Sequence, residues 1–297
     1  MSRLFVIGDV HGMSDTLAEL HYKLEPRTGD RFAFLGDYVD KGPKSLEALH
    51  MVRMLVSQYP GSVAICGNHE DSAMRLYAKA QKQGNWDGLR KADKEPWLKT
   101  MSQSDYDWMR TLPLVARPLP GVILVHGGMF PAYFEKHGEV GEVQADWHKG
   151  GGKRLDRMRR FLRVRHVYKP GALSKTKGKP VDGQMVSLGD EGESTQNWAE
   201  WYDGREGFAF YGHAPQRDGL PLAHDHALGL DTGAVFGGKL TAFVLEGEHL
   251  LRAGRNHIGW RSQARGSTAH PQQVRAYPVQ VQASAKHAEW LEAFEAE

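Results

Sequence analysis

Hydrophobic residues along the chain form short uninterrupted runs, and several of these runs end directly in glycine and polar residues. Five such runs stand out: Leu4–Ile7, Phe32–Leu35, Val63–Ile65, Val122–Val125 and Phe208–Tyr211. Apolar runs of this length that are bounded by turn residues predict buried strands. Between the first three runs, apolar residues recur at helical spacing, first around Leu17–Leu24 and then around Leu46–Val56. The pattern therefore predicts a βαβαβ core.

Polar side chains with metal-binding capacity follow the first three predicted strands. Asp9 and His11 follow the first run, Asp37 follows the second, and Asn68 follows the third, with separations of 28 residues from Asp9 to Asp37 and 31 from Asp37 to Asn68. A crossover unit between parallel strands takes about 30 residues, so these side chains should meet at one edge of the sheet. A carboxylate and an imidazole two positions apart leave the same face of an extended segment. Such a pair suits a first-row divalent metal.

The rest of the chain gives weaker predictions. Ala227–Leu230 and Leu240–Leu245 resemble two antiparallel strands that extend a second sheet. The segment Gln81–Asp107 is rich in Trp, Lys and Asp, and we expect it to form helical cap material over the site. Residues 256–286 are polar and without clear period. We therefore predict a catalytic domain over residues 1–255 and a polar, flexible C-terminal tail over residues 256–297.

Composition narrows the class of protein. The 297 residues are 40% hydrophobic and 25% charged with a formal net charge of +2, so whole-chain charge gives no reason to expect DNA binding. A single cysteine, Cys66, excludes an intrachain disulfide and is compatible with a reducing cytoplasm. There is no apolar run of 18 residues, and the chain enters its first strand at Leu4. We therefore expect a cytoplasmic protein without a membrane span or signal peptide.

Five motifs in order carry a family resemblance: GDVHG at 8–12, GDYVDKGP at 36–43, GNHE at 67–70, HGG at 126–128 and YGHAP at 211–215. They resemble the calcineurin-like metallophosphoesterases, and most closely the phosphoprotein-phosphatase branch. That branch holds protein serine/threonine phosphatases and symmetrical diadenosine tetraphosphate hydrolases. The resemblance implies an α/β fold, a four-layer α/β/β/α sandwich with a dimetal site at the C-terminal ends of the strands. Arg163-Val-Arg165 and GLDTG at 229–233 look more like the tetraphosphate hydrolases.

Two positions depart from the protein phosphatases, which typically carry arginine after GDYVD and just before GNHE. This chain has Lys41 and Cys66 there. Lysine keeps the positive charge but lacks the planar, bidentate fork of arginine. Lys41 therefore favours the hydrolase relatives, whereas the full GDYVD favours the protein phosphatases. We interpret Cys66 as a small strand-end residue and not as a catalytic thiol.

The resemblance also implies a set of metal ligands. Asp9, His11 and Asp37 would hold one divalent ion, while Asn68, His126 and His213 would hold a second together with Asp37 as the bridging ligand. Two such ions, manganese with Fe, Zn, Co or Ni as alternatives, would polarise a phosphoryl group and generate hydroxide. Any one of these histidines could instead be structural. That alternative becomes weak for the full set, because every one of these strand ends would have to carry a ligand by accident.

By the same resemblance, His69 is the proton donor to the leaving oxygen, and Asp40 is the carboxylate that orients it. Lys41 is a candidate for binding substrate phosphate because its motif places it beside Asp40. Arg163 and Arg165 are further candidates, since alternate residues share a face when a segment is extended. The alternative for these arginines is that the basic stretch Lys149–Arg165 forms a solvated face.

The sequence thus leads to three hypotheses on function. The first is a metal-dependent phosphohydrolase that uses dimetal-activated hydroxide to cleave dinucleoside polyphosphates such as diadenosine tetraphosphate. The second is a protein serine/threonine phosphatase with broad phosphomonoesterase activity, whose partner would be a phosphoprotein instead of a small nucleotide. The third is a non-catalytic phosphate-binding module, which the intact ligand set and the presence of both Asp40 and His69 disfavour.

Overall fold

Two five-stranded β-sheets packed face to face form the centre of the protein. A computed structural model describes residues 2–137, 147–149, 152–173, 181–187, 189–246 and 275–288. The first sheet has the strand order β12-β11-β1-β2-β3, and the second has the order β4-β5-β8-β10-β9. A separate two-stranded ribbon of β6 and β7 lies outside both sheets.

The strands of the two sheets follow the predicted apolar runs closely. The first sheet contains β1 (Arg3–Ile7), β2 (Arg31–Phe34), β3 (Val63–Ala64), β11 (Lys239–Glu246) and β12 (Arg275–Gln282). The second sheet contains β4 (Val115–Leu119), β5 (Val122–Val125), β8 (Phe208–Tyr211), β9 (Leu222–Ala223) and β10 (Ala227–Gly229), and the ribbon contains β6 (His166–Tyr168) and β7 (Thr195–Asn197). The three strands β1, β2 and β3 run parallel, as do β5, β8 and β10. Their carboxyl ends therefore share an edge within each sheet.

Helices cover the outer face of each sheet. They are α1 (Ser14–Leu24), α2 (Ser45–Gln58), α3 (Asn68–Gln83), α4 (Arg90–Lys94), α5 (Gln103–Met109), α6 (Pro131–His137), α7 (Gly152–Arg159) and α8 (Trp198–Trp201). Short 3-10 helices occur at Pro96–Thr100, Trp147–Lys149, Arg160–Leu162 and Ala234–Phe236. No helix in the described ranges is both long and apolar enough to cross a bilayer.

Side chains alternate along the central strands and so build three apolar layers. Phe5 and Ile7 of β1 face the helical layer that contains Leu17 and Leu49. Leu4 and Val6 of the same strand face the other sheet. Because successive residues of a strand point to opposite faces, a strand buried on both sides reads as a continuous apolar run. On the far face of the second sheet, a third apolar layer includes Phe130, Phe161 and Trp198. The result is the expected α/β/β/α order of layers.

One topological prediction is wrong. Ala227–Leu230 and Leu240–Leu245 were expected to pair with each other, but β10 lies in the second sheet and β11 in the first. β10 pairs with β8 and β9, while β11 pairs with β1 and β12. The chain crosses between the sheets through the 3-10 helix Ala234–Phe236, which is longer than the turn that a tight hairpin needs.

Part of the predicted polar, flexible C-terminal tail forms a strand. Residues Arg275–Gln282 form the edge strand β12, which pairs with all eight residues of β11. Tyr277, Val279 and Val281 recur with a period of two, a strand pattern that the surrounding polar residues obscure. Proline at position 278 fits an edge strand, which has one unpaired side. The boundary at residue 255 and the residues after 288 lie outside the described part of the chain, so the division into a domain and a tail stays a prediction.

Candidate dimetal site

The polar residues that follow five strands meet between the carboxyl ends of the two sheets. β1 is followed by Asp9 and His11, β2 by Asp37, β3 by Asn68, β5 by His126 and β8 by His213. The loops after β1 and β2 are joined directly, because the backbone nitrogens of Val10 and His11 donate to the carbonyl oxygen of Asp37 at 3.0 and 2.8 Å. The structure thus brings all six predicted metal ligands together, and each is at least 95% buried.

The backbone at this site is strained. Six described residues other than glycine have positive φ, and five of them lie in these loops: His11, Asp37, Asp40, Lys41 and His213. Such conformations cost about 1–3 kcal/mol each and persist where the surrounding contacts over-determine them. Close packing adds a further constraint, because a Cβ at Gly212 would collide with Oδ1 of Asp9 and one at Gly67 with Oδ1 of Asp37. The loops are therefore shaped to hold the carboxylates at fixed positions.

Asp37 is the centre of the cluster. Its Oδ2 lies 3.3 Å from Nε2 of His126, 3.6 Å from Nε2 of His11 and 3.9 Å from Nε2 of His69. Two groups of potential ligand atoms within 4.8 Å of one another share this residue: one is His11, Asp37 and His69, and the other is Asp37, His126 and His213. A carboxylate common to two such groups has the position that a bridging ligand requires.

Backbone carbonyls select the tautomer of three histidines. A carbonyl oxygen only accepts, so the nitrogen beside it must carry the proton. Nδ1 of His11 donates to Val39 O at 3.0 Å and Nδ1 of His126 donates to Leu35 O at 2.8 Å, while His213 donates from Nε2 to Arg163 O at 3.3 Å. The other nitrogen of each ring then keeps a lone pair, which is how metal-binding histidines are usually held.

Two observations show that the residues fit a divalent cation. Among the described residues, no hydrogen-bond donor reaches the buried Oδ1 of Asp9, whose other oxygen accepts from the backbone of His213 at 2.9 Å. Burial, and then the charges of Asp231 and Asp37, raise the pKa of Asp9 well above its usual value. In addition, Nε2 of His126 lies 2.9 Å from Oδ1 of Asn68. A proton or a metal ion is needed to balance so many converging lone pairs. Asp9 itself lies outside the two compact groups of three.

His69 and Asp40 form a tight pair. Nδ1 of His69 donates to Oδ2 of Asp40 at 2.6 Å, and its backbone nitrogen donates to Oδ1 of Asp37 at 3.0 Å. Burial alone would raise the pKa of Asp40, but His69 and then Lys91 outweigh it and hold that pKa well below its usual range. Asp40 therefore stays ionised and fixes Nε2 of His69 toward Asp37 and His11. This nitrogen could reach a leaving group or a metal ion.

Asp40 has two partners that the sequence did not predict. Lys91 places Nζ 2.5 Å from Oδ2 of Asp40, and Trp97 donates from Nε1 to Oδ1 at 2.9 Å. Both belong to the segment that was expected to cover the site, which does form α4, a 3-10 helix and α5. Glu95 of the same segment accepts from the backbone nitrogen of Lys41 at 2.9 Å. The indole N–H of a half-buried tryptophan usually has a hydrogen-bond partner, but the sequence does not identify that partner.

Glu70 is a further residue whose role the sequence did not predict. Its carboxylate accepts from the backbone nitrogens of Asp37 and Tyr38 at 2.8 Å and from that of Gly67 at 2.9 Å. Burial and the neighbouring charge of Asp37 raise its pKa to about 7. A glutamate three residues after a helix N-cap is the sequence mark of a capping box, and that mark is present here. Glu70 thus fixes the loop that carries Asp37.

The three predicted phosphate-binding residues lie at the rim of the site. Nζ of Lys41 is 3.5 Å from Nε2 of His11 and sits over the ring of Phe236 at 5.2 Å. Arg165 donates from Nη2 to the carbonyl oxygen of His213 at 3.1 Å. Arg163 instead directs its side chain toward Asp71, with Nη2 3.6 Å from Oδ2. Lys41 therefore lies beside one ligand group, at His11, and Arg165 beside the other, at His213.

Cys66 and Asp231 are buried close to the site. The Cys66 thiol donates to Gly67 O at 3.2 Å, and burial raises its pKa well above the usual value. It is therefore a thiol and not a reactive thiolate. Asp231 accepts from the backbone nitrogen of Gly233 at 3.1 Å, as a turn-forming residue does. Burial raises its pKa to about 6.

The chain is similar in sequence to several known proteins. The sequence model of the calcineurin-like phosphoesterase family matches residues 2–157. The symmetrical bis(5'-nucleosyl)-tetraphosphatase of Xanthomonas euvesicatoria pv. vesicatoria (strain 85-10) is 28% identical and is aligned over 83% of this chain and 82% of its own. The protein of the same name from Methylococcus capsulatus is 29% identical, with 82% and 92% covered.

Solved structures share the fold. One, provisionally assigned as a diadenosine tetraphosphatase, has a TM-score of 0.55 at 21% identity and covers 82% of this chain and 88% of its own. A protein serine/threonine phosphatase from Saccharomyces cerevisiae has a TM-score of 0.51 at 15% identity, with 97% and 81% covered. At these identities the likeness concerns the fold alone.

Proposed function

The chain belongs to the calcineurin-like phosphoesterase family, and from this premise we propose that it is a metal-dependent hydrolase of dinucleoside polyphosphates such as diadenosine tetraphosphate. One observation carries the proposal: Asp37 belongs to two compact ligand groups, and His69, which Asp40 holds through Nδ1, belongs to one of them. The substrate class is suggested by the relatives named symmetrical bis(5'-nucleosyl)-tetraphosphatase.

In this proposal, Asp9, His11 and Asp37 hold one divalent ion, and Asp37, Asn68, His126 and His213 hold a second. When bound, two such ions polarise a phosphoryl group and activate a water nucleophile. Nitrogen and oxygen donors without thiolate suit Mn²⁺, which we propose as the metal, better than a thiolate-selective ion. Because carbonyls already fix the proton positions of three histidines, the ligands need little reorganisation when metal binds.

The chain's own residues then handle the proton and the phosphates. His69 would deliver a proton from Nε2 to the leaving oxygen, while Asp40 holds the ring through Nδ1. Lys41 would bind the phosphate that is attacked, and Arg163 and Arg165 would bind phosphates further along the chain. We also propose a cytoplasmic setting, which a single, buried and reduced cysteine supports.

A second candidate, protein serine/threonine phosphatase activity, is favoured by the Asp40–His69 pair itself. A serine alkoxide is a much poorer leaving group than a nucleoside diphosphate, so a fixed proton donor matters more for a phosphoester. The full GDYVD sequence at 36–40 points the same way. This candidate has a different substrate but the same site.

Product analysis separates the two. Diadenosine tetraphosphate, a capped RNA and a phosphopeptide are each incubated with the protein and the same divalent metal. We expect symmetrical cleavage of the dinucleotide to two molecules of ADP at the highest rate. Turnover of the phosphopeptide alone would overturn the proposal in favour of the second candidate. The Asp37→Asn variant, prepared identically, controls for contaminating phosphatases.

A further inference from the structure

Asp71 is a buried carboxylate that lies among three arginines from three different segments. Nε of Arg75 on α3 is 3.1 Å from Oδ2. Nε of Arg159 at the end of α7 is 3.0 Å from Oδ1 and 3.2 Å from Oδ2. Nη2 of Arg163, which follows the 3-10 helix, is 3.6 Å from Oδ2. We call these four residues the Asp71 cluster.

The cluster has more positive charge than its buried carboxylate can neutralise. Asp71 and the exposed Asp156, whose Oδ1 lies 4.0 Å from Nη1 of Arg159, supply two negative charges against three arginines. The Asp71 side chain is only 2% exposed, whereas those of Arg159 and Arg163 are each 23% exposed and that of Arg75 is 51% exposed. Solvent therefore meets three guanidinium groups but almost none of the Asp71 carboxylate. Such a surface attracts anions.

Asp71 also fixes the direction of the arginines. Arg75 and Arg159 contact it through Nε, which leaves their terminal nitrogens for other partners. For Nη1 of Arg159 one such partner is Oδ1 of the exposed Asp156, at 4.0 Å. Terminal nitrogens of arginine bind phosphate oxygens in pairs. A guanidinium that is already ordered by an ion pair loses less freedom when a ligand binds.

The cluster adjoins the dimetal site directly. Asp71 lies in the first turn of α3, two residues after His69. The carbonyl oxygen of Arg163 accepts from Nε2 of His213 at 3.3 Å. Lys41 lies against His11, a ligand of the other group. A chain of phosphates that enters beside Lys41 and crosses the metal ligands would continue toward the Asp71 cluster.

We propose that the Asp71 cluster is a binding site for the phosphates of a polyphosphate chain that lie beyond the attacked phosphate. The inference rests on the proposed function and extends it to Arg75, for which no role was predicted from the sequence, and to Arg159, which lies in the basic stretch that could form a solvated face. It assigns to Asp71 the role of a positioning residue for these arginines. The ligand class is an extended polyphosphate, as opposed to a single phosphate group.

Inhibition by inorganic phosphates tests the site without relying on a dinucleotide substrate. Inhibition constants of tripolyphosphate and orthophosphate are measured against hydrolysis of p-nitrophenyl phosphate, at a fixed concentration of free metal ion. Arg159→Met should raise the ratio of the tripolyphosphate constant to the orthophosphate constant about tenfold, since a charge-assisted hydrogen bond to the longer chain is lost. Arg159→Lys, which keeps the charge without the fork, should give a smaller rise.

The matched control is Arg154→Met, because Arg154 lies on the same helix α7 and is exposed. This control should leave the ratio at the wild-type value. An unchanged ratio in Arg159→Met, or an equal rise in Arg154→Met, would overturn the inference. Because the ratio compares two inhibitors on one protein sample, partial unfolding of a variant does not alter it.

The outcome is separable from that of the proposed function. The wild-type protein could fail to cleave diadenosine tetraphosphate while Arg159→Met still raises the ratio of inhibition constants. That result would contradict the proposed function and support the phosphate site. If the dinucleotide is cleaved and Arg159→Met leaves the ratio unchanged, the result would support the proposed function and contradict the phosphate site.

Discussion

Lys91 places its ammonium group 2.5 Å from Oδ2 of Asp40, the same oxygen that accepts a hydrogen bond from Nδ1 of His69 at 2.6 Å. Lys91 also donates to Ser72 Oγ at 3.1 Å, which ties α4 to α3. The lysine, the carboxylate and the imidazole therefore form one connected unit. Lys91 acts on His69 only through Asp40, as a positioning residue.

We expect Lys91→Met to impair hydrolysis of phenyl phosphate about tenfold and that of p-nitrophenyl phosphate much less. A fixed proton donor matters most when the leaving oxygen is strongly basic. The measurement is kcat on the two esters. Lys99→Met is the matched control, because Lys99 pairs with the exposed Asp93 at 2.8 Å in the same segment. Equal losses on both esters would show that Lys91 has a merely structural role.

Asp37→Asn should reduce activity to background and lower the metal content of the protein. Asp37 is shared by both ligand groups, so neutralising it weakens both positions at once. Metal content by mass spectrometry and turnover with added Mn²⁺ are the two readouts, and Asp93→Asn, an exposed carboxylate, is the control. Wild-type protein that stays active after complete removal of metal would contradict the dimetal mechanism.

His69→Asn should lower turnover by about 10²–10⁴-fold, the usual worth of general acid catalysis, and leave metal content near that of the wild type. His69 has Nδ1 held by Asp40, and its Nε2 is 3.9 Å from Oδ2 of Asp37. Because His69 belongs to one of the groups of potential ligands, the metal content of the variant distinguishes a proton donor from a metal ligand. Loss of one metal ion per chain from the variant would identify His69 as a ligand.

The double variant Arg163→Ala, Arg165→Ala should impair hydrolysis of a dinucleoside tetraphosphate far more than that of an aryl phosphate. Each charge-assisted hydrogen bond is worth about 1.5–3 kcal/mol, or roughly one to two decades of kcat/KM. Lys41→Ala should affect both substrates alike, because Lys41 lies beside His11. If the double variant loses kcat/KM equally on both substrates, the two arginines bind the attacked phosphate. If it loses none, they belong to a solvated face.

Stability at low pH can be tested at Asp30, far from the metal ligands. Burial would raise its pKa, but hydrogen bonds from Arg3 and Arg27 outweigh this and lower it. A lowered folded-state pKa stabilises the protein above the unfolded value and loses this effect as pH falls through the folded value. Asp30→Asn should therefore reduce the free energy of unfolding by about 1–3 kcal/mol at pH 7 and by clearly less at pH 3.

Urea denaturation at the two pH values measures this difference. Asp15→Asn is the control, since Asp15 forms an exposed pair with Lys44 at 2.7 Å and should change stability by less than about 1 kcal/mol. An Asp30→Asn effect that is the same at pH 7 and pH 3 would show that the charge of Asp30 is not what stabilises the fold.

The sequence alone determined the first three parallel strands and the positions of the candidate ligands that follow them, while the order of the layers came from the family resemblance. Apolar runs, the glycine and polar residues after them, and spacings near 30 residues are local properties, and the carboxyl ends of parallel strands necessarily share an edge. Asp9, His11, Asp37 and Asn68 could therefore be placed together before any contact was known. His126 and His213 follow strands of the second sheet, and their place in the site came from the family resemblance.

Tertiary structure alone decided which distant side chains support that site. Trp97 reaches Asp40 across 57 residues of sequence, and Arg159 reaches Asp71 across 88. The assignment of β10 and β11 to different sheets, and of β12 to the edge of the first, also depends on pairing between distant segments. The period of hydrophobic residues and the spacing of motifs predict only the local structure of a segment. The packing of the layers determines which residue each polar side chain contacts, and no local sequence pattern encodes that packing.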